Sequence, residues 1–310
     1  MTRNTAAPPT LFWLRADRDH TTVAAADHAR KTDLTAVAAD LGLQLRTATV
    51  DDLVVSQVGG TAVVRVRGVR VDPRDTFFHT GSLDGLTQGP DAWRLLSTIG
   101  ILEAAGFMVT VPATDSITWS DTIVPLLSPG LGEVRTLPSV RLCTREIEVH
   151  RDRLRLADWG LEFPVAVRPA VRRPGDRAFV ADNDRRLTTL LQVAGAGEVT
   201  VLVQPWLGDH VVEHVVVCVD GEPTGLEGPL AERLSGPAKS VATELGLAYV
   251  QVEFVQDADR FWLSRVDCTG FAPTDDADAA EVQLAAYRAA FHRFRAASDA
   301  VSASVDGVEA

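Results

Sequence analysis

The sequence has few lysines, few cysteines and no long apolar segment. Lys31 and Lys239 are the only lysines, so all but two of the 30 basic residues are arginines. In so lysine-poor a chain, an arginine is expected where a related protein has a lysine, and one particular arginine is a weak functional signal. No apolar run approaches the roughly 20 residues that cross a bilayer. The first residues also lack the apolar stretch of a signal peptide, so no membrane role is expected.

The three cysteines, Cys143, Cys218 and Cys268, are widely spaced and form no Cys-x-x-Cys pair. This pattern favours reduced thiols in a cytoplasm over disulfides or a zinc site. A net charge of −12 argues against nucleic acid as a partner, because nucleic acid attracts a basic surface. The first part of the chain carries no Gly-x-Gly-x-x-Gly sequence, so a dinucleotide site there is unsupported. A chain of 310 residues with 46% hydrophobic content predicts a globular protein of one large or two to three small domains.

The strongest fold signal lies at residues 249–271, YVQVEFVQDADRFWLSRVDCTGF. Two runs of β-forming residues flank the polar QDADR, which predicts a β-hairpin with a five-residue connection. With Val255 opposite Phe261, alternation assigns five residues to an apolar side: Val250, Val252, Phe254, Trp262 and Val266. The other side then carries Gln251, Glu253, Arg265 and Asp267. Such a face can hold a divalent cation or a phosphate, and a solvated cross-strand ion pair is an equally weighted alternative.

The first part of the chain predicts a small α/β layer. Its segments follow the order strand, helix, strand, strand, helix, strand, with helices expected at 33–41 and 90–105 and a bent strand or hairpin at 61–71. Residues 1–9 are expected to form a flexible leader and residues 298–310 a disordered tail. A terminal helix is expected between 278 and 297.

The hairpin resembles the end of an ATP-grasp domain of the glutathione synthetase-like or ribosomal-protein glutamate ligase-like branch. In that superfamily an acidic residue on one strand and Glu-x-Asn on the next bind the magnesium ions of ATP. Glu253 matches the first acid, and Arg265-Val266-Asp267 lies where Glu-x-Asn would be. The resemblance therefore implies ATP and Mg²⁺ as cofactors, with Glu253 and Asp267 as metal ligands, although arginine replaces the metal glutamate.

The same resemblance implies the ATP contacts. Arg168 stands where the family has a lysine that contacts the ATP phosphates, and Arg172 and Arg173 lie in the loop that would cover them. Arginines bind phosphate through charge-assisted bonds, while an exposed arginine-rich loop is the alternative. Residues 204–207 resemble the segment that binds adenine, which implies ATP contacts by Gln204, Trp206 and Leu207. Core packing is the favoured role of Trp206.

The resemblance implies an α/β (α+β) fold in three parts. These are an N-terminal Rossmann-like pre-ATP-grasp domain (10–117), an ATP-grasp small or lid subdomain (118–195) and an ATP-grasp C-terminal subdomain (196–297). It implies an ATP-dependent carboxylate-amine ligase acting through an acylphosphate, with Arg265 and Arg168 as catalytic residues. Its substrates would be small-molecule or peptide carboxylates and amines.

A catalytically silent ATP-grasp fold is the alternative, serving as a binding or partner subunit beside an active ligase. In that case Arg265 replaces the metal by an internal ion pair. An exposed edge strand in the N-terminal unit also leaves a homodimer open.

Overall fold

The computed structural model describes residues 8–15, 24–59, 61–80, 90–120, 124, 127, 134–143, 155–170, 178–196, 200–268 and 277–306. Within these residues the chain forms four β-sheets with helices packed against them. The predicted mixed α/β class is confirmed. No helix of the described residues is long and apolar enough to cross a membrane.

A parallel sheet organises the N-terminal part, with strand order β2-β1-β6-β7. Its strands are β1 (Thr10–Arg15), β2 (Gln44–Thr49), β6 (Thr76–Thr80) and β7 (Met108–Val109). Its helices are α1 (Ala24–Asp40), α2 (Pro90–Ala104) and α3 (Ala113–Ser120). Leu11 and Trp13 pack with α1, whereas Phe12 and Leu14 pack with α2. Strand β1 is apolar on both sides because both faces of the sheet are covered.

A small antiparallel sheet extends the N-terminal part. It consists of β3 (Leu53–Val58), β4 (Thr61–Val66) and β5 (Val69–Arg70), in that order. The hairpin predicted for 61–71 is present as β4 and β5, joined at Arg67 and Gly68, both of which have positive φ. Strand β3 was not predicted from the sequence. It forms the edge of this sheet.

A second antiparallel sheet follows, with order β10-β9-β11-β8. Its strands are β8 (Val140–Leu142), β9 (Val165–Pro169), β10 (Phe179–Ala181) and β11 (Val201–Pro205). Helix α4 (Asp184–Ala196) packs Leu187 and Leu191 on one face of it. Because β11 pairs with β8 and β9, this sheet extends past residue 195, where the sequence places a subdomain boundary.

The C-terminal sheet carries the predicted hairpin, in the order β13-β12-β14-β15. Its strands are β12 (Val212–Val219), β13 (Glu222–Thr224), β14 (Tyr249–Asp257) and β15 (Arg260–Asp267). Helix α5 (Gly228–Leu245) covers one face with Leu234, Ala238 and Val241. The predicted five-residue connection is wrong, because the strands continue to Asp257 and resume at Arg260. Ala258, with φ 51°, lies in the short turn between them.

The hairpin register also differs from the prediction. Val255 lies opposite Trp262 instead of Phe261, and a β-bulge next to Phe254 then brings Glu253 opposite Arg265. Trp262 therefore shares the face of Glu253. Leu263, fully buried, takes the place that the sequence assigned to Trp262 in the apolar core.

The final helix, α6 (Ala277–Asp306), connects the N-terminal and C-terminal sheets. Its aromatic residues pack in one cluster with Leu11 and Trp13 of β1 and Tyr249 of β14. The prediction of a disordered tail from residue 298 is wrong for 298–306, which are helical. The sequence missed this extension because the small polar residues after Ala297 give no clear apolar stripe.

We predict that Phe294→Ala destabilises the protein by about 3–5 kcal/mol. Phe294 is buried and stacks on Phe77 with ring centroids 5.0 Å apart, so truncation leaves a cavity between α6 and the parallel sheet. Urea unfolding followed by circular dichroism measures the change. Phe179→Ala is the matched control, because Phe179 is 60% exposed and its truncation should cost no more than about 0.5 kcal/mol. Equal losses in the two variants would contradict the role given to α6.

Candidate functional site

Four polar residues lie on one face of the C-terminal sheet, opposite helix α5. Gln251 pairs with Asp267, and Glu253 pairs with Arg265 across the two strands. The structure thus places these four side chains on one face, as their alternation predicts. Trp262 lies on the same face next to Val255, a neighbour that sequence reasoning missed because a bulge leaves no clear signal in the sequence.

Arg265 contacts both carboxylates of this face. Its Nη1 donates to Oε1 of Glu253 at 3.3 Å, and its Nη2 donates to Oδ2 of Asp267 at 2.7 Å. The side chains of Arg265, Glu253 and Asp267 are 17%, 16% and 8% exposed. We call these three residues the arginine triad. Low exposure weakens screening by solvent, so these contacts are stronger than those of a surface ion pair.

The arginine triad does not fit a resident Mg²⁺ ion in this arrangement. Magnesium requires near-octahedral oxygen ligands, and a guanidinium already lies between the two carboxylates that would supply them. Within the described residues, no group of three or more His, Cys, Asp or Glu side chains is placed to hold a metal. A metal could bind to Glu253 and Asp267 only after Arg265 moved away from them.

Arg168 and Gln204 share one face of the β8–β11 sheet. Arg168 pairs with Leu202 and Ala166 pairs with Gln204, so these side chains point away from the core that packs on α4. Gln204 is almost fully buried. Its Nε2 donates to Oγ of Ser139 at 2.8 Å, and that hydroxyl donates to the Leu137 carbonyl at 2.8 Å. Ser139 thus fixes the amide of Gln204, a role that no sequence pattern indicated.

The backbone after β11 has fewer available donors than its sequence suggests. The N–H of Trp206 donates to the carbonyl oxygen of Pro164 at 3.0 Å, and Pro205 has no N–H. Within the described residues, no backbone hydrogen bond involves the N–H of Leu207. Leu207 is therefore the first residue after β11 whose backbone can donate to a ligand. Trp206 is partly exposed.

Arg172 and Arg173 lie outside the described residues. The structure therefore leaves their predicted phosphate contacts as a prediction. It brings Glu253, Arg265 and Asp267 into direct contact, and it places Arg168 and Gln204 together on another sheet.

Residues of the N-terminal part pack against the C-terminal end of β15, next to the arginine triad. Cys268 directly follows Asp267, is fully buried and packs with Val111 and Leu247. Burial raises the pKa of its thiol well above the usual range, and the carboxylates of Asp267 and Asp115 add to the increase. Asp115 belongs to α3, so α3 approaches the triad end of the C-terminal sheet.

Comparison with known proteins gives matches by structure alone. No protein-family model matches the chain, and no curated protein matches it by sequence. The D-alanine–D-alanine ligase from Bacillus anthracis, solved in complex with ATP, superposes with a TM-score of 0.61 at 12% identity, covering 94% of this chain and 96% of that one. The chain has the ATP-grasp fold.

Two further structures with this fold align with this chain over almost their full length. The RimK domain ATP-grasp protein from Sphaerobacter thermophilus has a TM-score of 0.59 at 16% identity. The alignment covers 91% of this chain and 98% of that chain. The ATP-grasp ligase PsnB, solved with a minimal precursor, has a TM-score of 0.57 at 12% identity, covering 91% of this chain and 100% of its own. The predicted ATP-grasp fold is thereby confirmed.

We predict that Arg265→Glu increases the affinity for Mg²⁺ by at least about tenfold, or about 1.4 kcal/mol. The change removes the cation between two carboxylates and adds a third, which creates an oxygen-rich site. Calorimetric titration with MgCl₂ measures it, and thermal melting verifies folding. Arg260→Glu is the control, because it makes the same charge change at an exposed position of β15. An unchanged affinity in folded Arg265→Glu protein would contradict the view that Arg265 keeps metal out.

We predict that iodoacetamide labels Cys143 alone in the native protein. Cys143 is exposed, whereas Cys218 and Cys268 are buried. Burial raises the pKa of Cys218 to about 12, so its reactive thiolate is scarce at pH 8. The same raised pKa lowers the free energy of unfolding as the pH rises above about 8.5, because the unfolded thiol ionises there and the buried one does not. Mass spectrometry counts the labels, and labelling of all three thiols in urea is the control. Native labelling of Cys218 or Cys268 would contradict the packing described.

Proposed function

We propose that this protein is an ATP-dependent ligase that joins a carboxylate to an amine through an acylphosphate. The observation that carries the proposal is the pair of polar sheet faces within an ATP-grasp fold. One face bears Arg168 and Gln204, and the other bears the arginine triad. The two ligases named above share this fold, and one of them was solved with ATP.

In the proposed reaction a carboxylate oxygen attacks the γ-phosphorus of ATP and ADP leaves. The amine nitrogen then attacks the acyl carbon and inorganic phosphate leaves. The protein acts by positioning the reactants and balancing their charge, since neither step needs a covalent protein nucleophile. Arg168 would hold the phosphates through bidentate bonds, and the N–H of Leu207 would bind the base.

Arg265 would act on the reacting groups in this scheme. Glu253 and Asp267 hold its guanidinium at the face of the sheet, where it can donate to a phosphoryl or acylphosphate oxygen. The two carboxylates would thus orient a cation instead of binding a metal. No step of the proposed reaction on this face requires Mg²⁺ at Glu253 and Asp267.

A silent ATP-grasp fold is the second candidate, and the arginine triad favours it. The ion pairs of Arg265 with both acidic residues neutralise half of the negative charge that would attract the metal ion of a nucleotide. Such a protein would serve as a binding or partner subunit of an active ligase. It would differ from the ligase by failing to bind nucleotide at all.

We predict that a non-hydrolysable ATP analogue binds the protein and that Arg168→Ala weakens binding by about tenfold or more. Loss of a charged hydrogen bond to phosphate costs about 1.5–3 kcal/mol, which accounts for that factor. Calorimetric titration with and without MgCl₂ is the measurement. Arg186→Ala is the control, because Arg186 is an exposed arginine on α4.

The outcomes separate the two candidates. Analogue binding that depends on Arg168 supports the ligase, and ADP release can then be screened with mixtures of carboxylic acids and amines. Glu253→Gln and Asp267→Asn should lower that turnover, because each releases one anchor of Arg265. Absence of binding with and without magnesium would overturn the ligase and support the silent subunit.

A further inference from the structure

Strand β3 leaves one edge of the small N-terminal sheet without a neighbouring strand. The sheet order is β3-β4-β5, so β4 covers only one side of β3. Alternate residues of β3 direct their N–H and C=O groups away from β4. Within the described residues, the outward backbone groups of Val55 and Gln57 have no hydrogen-bond partner in the protein, whereas the N–H of Leu53 donates to the carbonyl oxygen of Val50. A strand edge of this kind can pair with another strand.

The side chains of β3 lack the features that usually prevent such pairing. Its sequence, Leu-Val-Val-Ser-Gln-Val, contains no charged residue and no proline. Val54 is 56% exposed and Val55 is 39% exposed. Val55 pairs with Val64, which belongs to the core between this sheet and α2. Its exposure therefore results from its position at the open edge of a face that is otherwise buried.

Charges next to the strand are compensated within the chain. Asp51 pairs with Arg94, and Asp52 pairs with Arg67 at 3.0 Å. The Arg67 guanidinium holds the pKa of Asp52 well below its usual range, so this carboxylate stays ionised and paired. Two molecules of a chain with a net charge of −12 repel each other in general. Within the described residues, β3 itself carries no charged side chain, and both aspartates that directly precede it are paired with arginines of the same chain.

We propose that two copies of this chain associate by antiparallel pairing of β3 with β3 of the second copy. This pairing supplies hydrogen-bond partners for the outward backbone groups around Val55 in both strands and joins the two sheets into one of six strands. It is closed by a twofold axis, so it forms a dimer and not a fibre.

The twofold axis limits the register. An axis perpendicular to the sheet keeps each side chain on its own face. Directly opposite residues must share a face, so the axis lies midway between two copies of the same residue. An axis at Val55 places the two copies of Val55 opposite each other and pairs Leu53 with Gln57. This register uses most of the strand and covers the exposed part of Val55 with its own copy.

Sedimentation of the full chain from about 1 μM to about 100 μM tests the proposal. We expect a concentration-dependent dimer. Val55→Lys should raise its dissociation constant at least about tenfold, because like charges would face each other at the axis. Val69→Lys is the matched control, because Val69 is 67% exposed on the other edge of the same sheet and should leave the dimer unchanged. A monomer throughout the range, or equal effects of the two variants, would overturn the proposal.

Cross-linking gives a second readout that does not depend on weakening the protein. In a Cys143→Ser background, Val55→Cys with oxidised glutathione should form a disulfide between two copies, since directly opposite residues have Cβ atoms about 4.5–5.5 Å apart. The glutathione is reduced as the two thiols are oxidised. Val69→Cys should form no disulfide between two copies under the same conditions. A dimer that Val55→Cys fails to cross-link would assign the interface to another surface and overturn the register.

Discussion

The contact of Arg265 with the carboxylates of Glu253 and Asp267 compensates charge on the polar face of the C-terminal sheet. Each carboxylate would be costly in this position without a counter-charge, because the surroundings are poorly solvated. Arg265 supplies that charge from within the chain. Glu253 and Asp267 therefore hold a guanidinium of the same chain, and a metal ion could bind to both only after Arg265 moved away.

The apolar scaffold holds this triad in place from both sides. Helix α5 packs against one face of the C-terminal sheet and leaves the opposite face for the polar residues. Helix α6 then packs against the far end of that opposite face and against the N-terminal parallel sheet. Buried Cys268 fills the junction beside Asp267. The polar residues of β14 and β15 are therefore fixed by two layers of apolar packing as well as by their own ion pairs.

The two proposals rest on different sheets. The ligase proposal depends on the β8–β11 sheet and the hairpin of β14 and β15, whereas self-association depends on β3 in the N-terminal part. The compensation of charge is common to both. At the triad it holds a cation on the face that the ligase proposal assigns to the reacting groups. Beside β3 it pairs with arginines the two aspartates that directly precede the strand.

The sequence by itself determined which residues of the hairpin share a face, even though the predicted register was wrong. The turn between β14 and β15 shifts the pairing by one residue, and the bulge near Phe254 shifts it by one more. Side chains alternate with a period of two, so the combined shift restores Glu253 and Arg265 to one face. Trp262 and Leu263 lie between the turn and the bulge, and they exchange faces.

Contacts between distant parts of the chain were decided by the tertiary structure alone. The bond of Gln204 to Ser139, the use of the Trp206 N–H by Pro164 and the simultaneous contact of Arg265 with two carboxylates depend on strand pairing across many residues. Local periodicity carries no information about such pairing. The sequence determined the alternation and the apolar helices because these are short-range properties, whereas the pairing partners were set by how the sheets pack as a whole.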